Sequence, residues 1–368
     1  MTVRIELVDR QAAIRAFHRV PRRLHGRDPR WVAPLPGDSG RAFDPRRHPT
    51  LQPGRWARWI ASDGHGPVGR LAAFAPAHRP GVGYIGFFES ENQHATATGL
   101  VAAAATWLAG LGCTEIHGPV PVTARDGIGV LVGGDDGPAS YGCPWNPGYY
   151  PALLGAAGLT PTVRLRSYRW HPGALDSGRL RSIARRVDDG NDVRIRSLRP
   201  SDLTRDVHQI AHIINATLAD AWHFEPVSHT EAEAMAHELR LVLDPAMALI
   251  AEDVDGPCGV ALAIPDPNWA WHRAGNRLLP TGWAALLLGR RRIPHLRVLA
   301  LGVAAHRRGS RLAARLLDAW LRQAARSGYR SAELAQVFDD NRPMRHLLEG
   351  IGLQVSRHYA VYSRTLTP

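Results

Sequence analysis

One stretch of this sequence occurs twice, and this repetition constrains the fold more than any other feature. Residues 59–69 read WIASDGHGPVG, and residues 249–259 read LIAEDVDGPCG. These two stretches are 190 positions apart, and the same offset pairs VRIELVDRQ, which begins at Val3, with VRIRSLRPS, which begins at Val193. Later, NPGYYPALLGAAGL from Asn146 is similar to NRPMRHLLEGIGL from Asn341. Three matches in the same order predict a duplicated domain.

Each copy has a similar predicted order of elements. A short strand and helical material come first, followed by a hairpin, a strand that leads into a long helix, a further strand and a short helix. This order predicts an α/β fold, with a mixed sheet and flanking helices in each copy. We expect one domain at 1–170 and a second at 193–368, joined by a polar linker at 171–192.

Composition is that of a globular protein long enough for two domains, with 368 residues, of which 45% are hydrophobic and 21% charged. The longest apolar run, around LVAAAATWLAGLG, is too short to span a bilayer. The first residues, MTVRIELVDRQ, lack the apolar stretch of a signal peptide, so we expect a cytoplasmic protein. Cys113, Cys143 and Cys258 form no closely spaced pair, which predicts neither disulfides nor a metal site.

The net charge of +12 favours an anionic ligand. All 45 basic residues other than histidine are arginines, which is typical of GC-rich coding as much as of a nucleic-acid surface. The arginines are also spread along the chain and do not cluster with aromatic residues. We therefore expect a small anionic ligand and do not predict a dedicated nucleic-acid-binding protein.

A basic turn lies between a predicted strand and a predicted helix. The strand LRVLALGV precedes it, and the turn and the start of the helix read AAHRRGSRLAARLL, at residues 304–317. Backbone N–H groups at a helix N-terminus have no intrahelical partners, and the helix dipole favours an anion there. The turn is therefore either a phosphate-binding loop or a solvated basic turn.

This element order and turn resemble the GNAT acyltransferase fold. The GNAT pattern Arg/Gln-x-x-Gly-x-Gly/Ala falls on residues 308–313, and the downstream Asn-x-x-Ala-x-x-Leu-Tyr-x-x-x-Gly-Phe pattern falls on 341–353. Through GFFES, NPGYY and IPDPN, the whole chain resembles a bacterial group of proteins with two GNAT-like copies. In the N-terminal copy, Glu89 and Glu91 lie where the loop would be, so only the C-terminal copy is expected to bind acyl-coenzyme A.

The resemblance implies a set of coenzyme A-binding residues around the turn. These are Leu301, Gly302, Val303, Arg307, Arg308, Gly309, Ser310, Arg311, Leu312, Ala313 and Asn341. The chain departs from the GNAT pattern in two places. Arg311 stands at the central glycine, and Leu348 replaces the tyrosine that protonates the leaving thiolate in many relatives.

Other groups are candidates for the proton transfers and for the acceptor. On the closing strand, which in this fold runs beside the Leu348 helix, Tyr362 or Tyr359 can serve as the acid. Asp266 in IPDPN and Glu225 in WHFEP are candidate bases, with a turn or helix cap and a solvated loop as the respective alternatives. His223, Tyr149 and Tyr150 are candidates for contacting the acceptor; simple packing is the alternative for the tyrosines.

The resemblance implies transfer of an acyl group from acetyl-coenzyme A, or another acyl-coenzyme A, to an amine. We expect an N-acetyltransferase that binds a small amine in a cleft between the two copies, with thioester and amine held together. Two alternatives remain open, transfer from an aminoacyl-tRNA and a non-catalytic acyl-coenzyme A-binding module. The sequence predicts neither the acceptor's identity nor the acyl length nor the oligomeric state.

Overall fold

The computed structural model describes residues 3–35, 37, 40, 42–44, 51–52, 54–122, 127–134, 137–173, 177–185, 193–277 and 293–366. The chain forms two compact units. The first contains Met1–Leu165 together with Arg357–Pro368, and the second contains Arg166–Ser356.

The first unit is a mixed sheet with flanking helices. Its elements are β1 (Arg4–Leu7), α1 (Gln11–His25), β2 (Trp56–Asp63), β3 (Gly66–Phe74), β4 (Val82–Ser90), α2 (His94–Gly110), β5 (Glu115–Gly118), β6 (Val130–Gly134), α3 (Tyr150–Ala156), the first part of β7 (Thr160–Trp170) and most of β13 (Gln354–Thr365). Strands β1 to β4 pair antiparallel in sequence order, β4 pairs parallel with β5, and β13 pairs antiparallel with β5.

Helix α2 forms one side of the core of the first unit. Leu100, Val101, Ala104 and Leu108 recur at helical spacing and are all buried. A Cβ on Gly83 of β4 would lie 2.8 Å from side-chain atoms of Leu108, so the glycine lets the helix lie close to the sheet.

The second unit is also a mixed sheet with flanking helices. Besides the end of β7, its elements are α4 (Ser177–Arg185), β8 (Arg194–Ser197), α5 (Leu203–Leu218), α6 (His229–Val242), β9 (Ala248–Asp253), β10 (Gly256–Pro265), α7 (Pro267–Arg273), β11 (His295–Val303), α8 (Leu312–Arg326), β12 (Ser331–Phe338) and α9 (Arg342–Gly350). The strand order is β7-β12-β11-β10-β9-β8. Of the ladders β8–β9, β9–β10, β10–β11 and β11–β12, only β11–β12 is parallel.

Helix α8 occupies in the second unit the place that α2 has in the first. Its apolar residues Leu316, Leu317 and Trp320 are buried in the core. The indole N–H of Trp320 donates to the carbonyl of Met247 at 3.2 Å, which satisfies the one polar atom of this buried ring. A Cβ on Gly259 of β10 would lie 2.7 Å from Leu316, so a strand glycine again lets the long helix approach the sheet.

The element order confirms the predicted tandem α/β fold. Each half has an antiparallel hairpin (β2–β3 or β9–β10), a strand leading into a long helix (β4–α2 or β11–α8), a parallel neighbour strand and a short helix. Within the ranges that the structure describes, no helix has the length and apolar character needed to cross a bilayer.

The closing strand belongs to the first unit, whereas the sequence assigned it to the C-terminal copy. Residues Arg357–Pro368 group with the first unit because β13 pairs with β5, with Tyr362 opposite Gly118, and with β6. In turn, the end of β7 groups with the second unit. Packing therefore follows units other than the predicted domains 1–170 and 193–368, which remain a prediction about the duplication.

The predicted linker at 171–192 contains a packed helix, α4. Leu180 is 1% exposed and belongs to the core of the second unit. Its neighbour Ile183 packs against the same core. The sequence did not predict this helix, because the segment is mostly polar and buries only a few apolar side chains. Residues 174–176 and 186–192 lie outside the described residues.

Candidate active site

A β-bulge bends β11 just before the basic turn. Strand β10 pairs Ala263 with Val298 and Leu262 with Ala300, so Leu299 is an extra residue on β11. Bulges of this kind locally break the ladder and re-aim the strand. The last four residues of β11, 300–303, therefore start from a bent strand.

The neighbouring strands β11 and β12 separate beyond the same point. Their parallel ladder runs from the pair His295–Ser331 to the pair Val298–Leu334, whereas the strands continue to Val303 and Phe338. Gln336 on β12 has a φ of 61°, a left-handed conformation that interrupts the regular extension of that strand. The two strand ends therefore leave a split edge, and Leu301, Gly302 and Val303, which the resemblance assigns to coenzyme A, lie on the β11 side of it.

The turn after β11 is organised by a glycine and a serine. Gly309 has a φ of 80°, which a residue with a side chain adopts only with strain. The hydroxyl of Ser310 donates to the carbonyl of Arg307 at 2.6 Å and accepts from the N–H of Leu312 at 3.3 Å. These bonds fix the start of α8. The N–H groups of Gly309 and Arg311 donate to no group among the described residues, which makes them available to an anion.

Two arginines of the turn have different partners. Arg307 donates through Nε and Nη2 to Oδ2 of Asp253, at 2.8 and 2.7 Å. Burial would raise the pKa of Asp253, but hydrogen bonds from His306 and Arg307 lower it to about 2. Arg308 is 48% exposed and donates to the carbonyls of Ala216 and Thr217 at 3.3 Å. Arg307 therefore holds the turn, while Arg308 keeps an exposed guanidinium beside it.

Gly302 lets α5 lie close to the end of β11. A Cβ at this position would be 2.7 Å from Cγ2 of Thr217, which is closer than real Cβ contacts. The hydroxyl of Thr217 donates to the carbonyl of Val303 at 3.2 Å. The end of the strand, the end of α5 and the basic turn are thus packed together in the second unit.

The predicted downstream residues serve to build α9. The side chain of Asn341 accepts from the N–H of Met344 at 3.3 Å and caps the helix, and Leu348 is fully buried in the core. Next to it, Glu349 accepts a hydrogen bond from the hydroxyl of Tyr168 at 2.7 Å. Burial and this bond raise the pKa of Tyr168 to about 12. Sequence reasoning missed this contact, because it assigned residue 168 to the other copy.

The candidate bases lie in the second unit. Asp266 is 4% exposed and accepts from the N–H of Asn268 at 2.9 Å, so it caps α7, as the alternative interpretation predicted. Glu225 is buried, whereas the alternative expected a solvated loop. His223 has a φ of 48°, and its ring stacks on that of Trp222, with the ring centroids 4.2 Å apart. None of these contacts tests a role in proton transfer, which stays a prediction.

The candidate tyrosines lie in the first unit. Tyr359 and Tyr362 are buried, and burial raises the pKa of Tyr362. Tyr362 is part of an apolar cluster together with Tyr150. The hydroxyl of Tyr150 donates to Glu89 at 2.8 Å, and that of Tyr149 donates to the carbonyl of Ser90 at 3.0 Å. Tyr359 and Tyr362 group with the first unit and α9 with the second, and the catalytic role of these tyrosines stays a prediction.

The corresponding strands of the first unit stay closed. Beyond the β4–β5 ladder, the N–H of Val120 donates to the carbonyl of Ile85 at 2.7 Å. A Cβ on Gly86 would lie 2.1 Å from the Val120 carbonyl oxygen, so the backbone of this segment fills the position of the split. At the end of β4, the Glu89 carboxylate contacts His25 at 2.8 Å. Carboxylate and closed strands do not suit a phosphate, in agreement with a loop only in the C-terminal copy.

Comparison with known proteins finds a family match in the C-terminal part and relatives over nearly the whole chain. Residues 208–353 match the sequence model of the Acetyltransferase (GNAT) family. A bacterial ceramide synthase from Caulobacter vibrioides is 29% identical over 96% of this chain and 95% of its own length. Protein YghO from Escherichia coli is 25% identical over 96% of this chain and 93% of its own length.

The fold of the whole chain has a counterpart among solved structures. A tandem GNAT protein from the clavulanic acid biosynthesis pathway aligns with 100% of this chain and 99% of its own, with a TM-score of 0.55 and 11% identity. At that identity the likeness concerns the fold alone. The chain therefore has a tandem GNAT fold, and its residues 208–353 match the GNAT family.

Proposed function

We propose that this protein is an acyl-coenzyme A-dependent N-acyltransferase whose second unit binds the donor. In the reaction, the amine nitrogen attacks the thioester carbonyl carbon, the C–N bond forms and the C–S bond breaks. The amine loses a proton to a base, and the sulfur leaves as a thiolate, which takes up a proton to become the thiol. In this proposal, a backbone N–H in residues 301–303 stabilises the oxyanion that develops on the carbonyl oxygen.

The split between β11 and β12 is the observation that carries this proposal. The ladder ends at Val298 and Leu334, and the open part of β11 leads directly into the basic turn. Free N–H groups at Gly309 and Arg311 and the exposed guanidinium of Arg308 suit a pyrophosphate, since charged donors bind phosphate oxygens strongly. A thioester in the split and phosphates at the turn follow one another along the same strand.

The relative from Caulobacter favours an acceptor other than the small amine expected from the sequence. A ceramide is the amide of a fatty acid and a long-chain amino alcohol, so a ceramide synthase joins two lipid chains. The relative is similar over nearly its whole length. We propose that this chain uses a fatty acyl-coenzyme A and a long-chain amino alcohol, with acetyl transfer to a small amine as the alternative.

The second unit contains a small apolar cavity. It has a volume of about 20 Å³, close to the space of one water, and lies among α5, α6 and β10. Only apolar side chains line it, including Ile210, Val227 and Leu262. Met235 on α6 also lines it and is 36% exposed, so a flexible side chain separates this cavity from solvent.

Thiol release measured over a two-by-two set of substrates tests the proposal. The donors are palmitoyl- and acetyl-coenzyme A, and the acceptors are a long-chain 2-amino-1,3-diol and 2-amino-1,3-propanediol, which share a head group. We expect release only with the two long-chain substrates, and mass spectrometry should detect the amide.

Other results would change the assignment. Release with acetyl-coenzyme A and the short amine would establish the alternative small-amine transferase. Thermal stabilisation by both donors without release over a broad amine panel would contradict catalysis and indicate an acyl-coenzyme A-binding module.

A further inference from the structure

Three potential metal ligands meet on the outer face of the second unit. His208 lies on α5, and His229 and Glu233 lie one helical turn apart on α6. Each offers one ligand atom, and these atoms all lie within 4.8 Å of one another. The two imidazole rings have centroids 3.8 Å apart, and Nδ1 of His229 is 3.6 Å from Oε1 of Glu233. The cluster thus links two helices that are separated along the chain.

These distances are close to those of a zinc site. Zinc binds imidazole nitrogen at about 2.0–2.1 Å and carboxylate oxygen at about 2.0–2.2 Å, so two ligands of a tetrahedral ion lie roughly 3.3–3.5 Å apart. The separation of 3.6 Å between Nδ1 of His229 and Oε1 of Glu233 is just above this range. The side chains of these two residues are 76% and 56% exposed, so rotation can close the remaining separations without moving the helices.

The backbone around the cluster is held in place. The hydroxyl of Ser228 donates to the carboxylate of Glu231 at 2.7 Å and accepts from its N–H at 3.3 Å, a capping box that fixes the start of α6. Just before it, Val227 exchanges two hydrogen bonds with the side chain of Asn215 on α5, at 2.8 and 2.9 Å. The first turn of α6, which carries His229, is thereby tied to the helix that carries His208.

We propose that His208, His229 and Glu233 bind a zinc ion, with water completing a tetrahedral site. Two imidazoles and one carboxylate suit zinc, whereas magnesium and calcium prefer all-oxygen sites. The sequence predicted no metal because that expectation rested on cysteine spacing. The bound ion cross-links α5 and α6, the two helices that bound the apolar cavity among α5, α6 and β10.

Zinc binding to the full-length protein, first stripped with a chelator, tests this site. Isothermal titration with ZnCl₂ should show one saturable site, and MgCl₂ should show none. X-ray absorption should show imidazole nitrogens and oxygen at about 2.0–2.1 Å from the metal. Because the ion binds only the folded protein, zinc should raise the unfolding temperature, and EDTA should reverse the rise.

Single substitutions then assign the ligands. H208A, H229A and E233Q should each lower zinc affinity by at least about 10-fold. H212A is the matched control, since His212 is an exposed histidine one turn further along α5, outside the cluster. Its affinity should be unchanged. Circular dichroism without metal checks that every variant folds. Absence of a one-equivalent site, or equal loss of affinity in H212A, would overturn the proposal.

Discussion

Arg307 in the basic turn contacts Asp253 at the end of β9, with Nε and Nη2 at 2.8 and 2.7 Å from the same carboxylate oxygen. The aspartate side chain is fully buried, and the arginine side chain is 19% exposed. His306 also contacts this oxygen, at 3.1 Å. The contact fixes the turn to the hairpin beneath it, so a residue of the motif that sequence comparison assigns to the donor has a structural partner.

Replacing Asp253 should make the protein less stable and change its response to acid. The pKa of this carboxyl is about 2, compared with a usual value of 3.8, so its charged form is stabilised by about 2 kcal/mol in the fold. That stabilisation is complete above pH 3.8 and is lost as the pH falls through 2. D253N should therefore lower the free energy of unfolding at pH 7 by about 2 kcal/mol, measured by urea denaturation.

The free energy of unfolding measured at acidic pH shows whether the charge of Asp253 causes this loss of stability. Between pH 5 and pH 2.5, the stability of D253N should fall less steeply than that of the unsubstituted protein. D9N is the matched control, because Asp9 is 63% exposed and its contact with Arg10 is long, at 3.6 Å. If the free energy of unfolding falls equally steeply with pH in D253N and in the unsubstituted protein, the Asp253 contact contributes no pH-dependent stability.

Arg308 should contribute to donor binding through its exposed charge. Reversal of one charge beside a phosphate should weaken binding by about 1.5–3 kcal/mol, or roughly 10- to 150-fold. Calorimetry of R308E with coenzyme A tests this. R322E, on α8 and with a side chain that is 54% exposed, is the control and should retain affinity. Unchanged coenzyme A affinity in R308E would contradict phosphate binding beside Arg308.

Substitution of Gly302 should disturb the packing of α5 on β11. In G302A the new methyl would meet Cγ2 of Thr217 at 2.7 Å, and such overpacking costs about 1–3 kcal/mol. T217S removes that methyl and keeps the hydroxyl that bonds to Val303. The double variant should therefore recover much of the stability and coenzyme A affinity lost in G302A. A simple sum of the two single effects would exclude this contact as the cause.

The local parts of the fold could be predicted from the sequence. Apolar residues recur at helical spacing from Leu312 to Trp320, and the glycine and serine of the turn determine its backbone, so strand, turn and helix were expected in their observed order. The capping role of Asp266 was also expected as one of two alternatives, because an aspartate before Pro267 and Asn268 is a typical helix start.

Contacts between distant segments could not be predicted in this way. The alternating pattern of β13 fits the edge of either unit, and only the pairing of Tyr362 with Gly118 decides between them. The metal-ligand cluster likewise depends on how α5 and α6 cross, which brings His208 to His229. Neither relation has a signal in residue spacing.

Asp266 offers a test that separates a catalytic carboxylate from a helix cap. Asparagine caps helices about as well as aspartate, so D266N should keep the stability within about 0.5 kcal/mol, whereas D266A should lose about 1 kcal/mol. If the carboxylate is the general base, D266N should still lower turnover by about 10²-fold, because an amide cannot take the proton. The measurement is thiol release at saturating donor, with coenzyme A affinity measured in parallel. Since the cap is retained, slow turnover in a stable D266N with normal donor affinity would identify the base. Near-native turnover in D266N would leave Asp266 as the cap of α7 alone, with Glu225 as the remaining candidate.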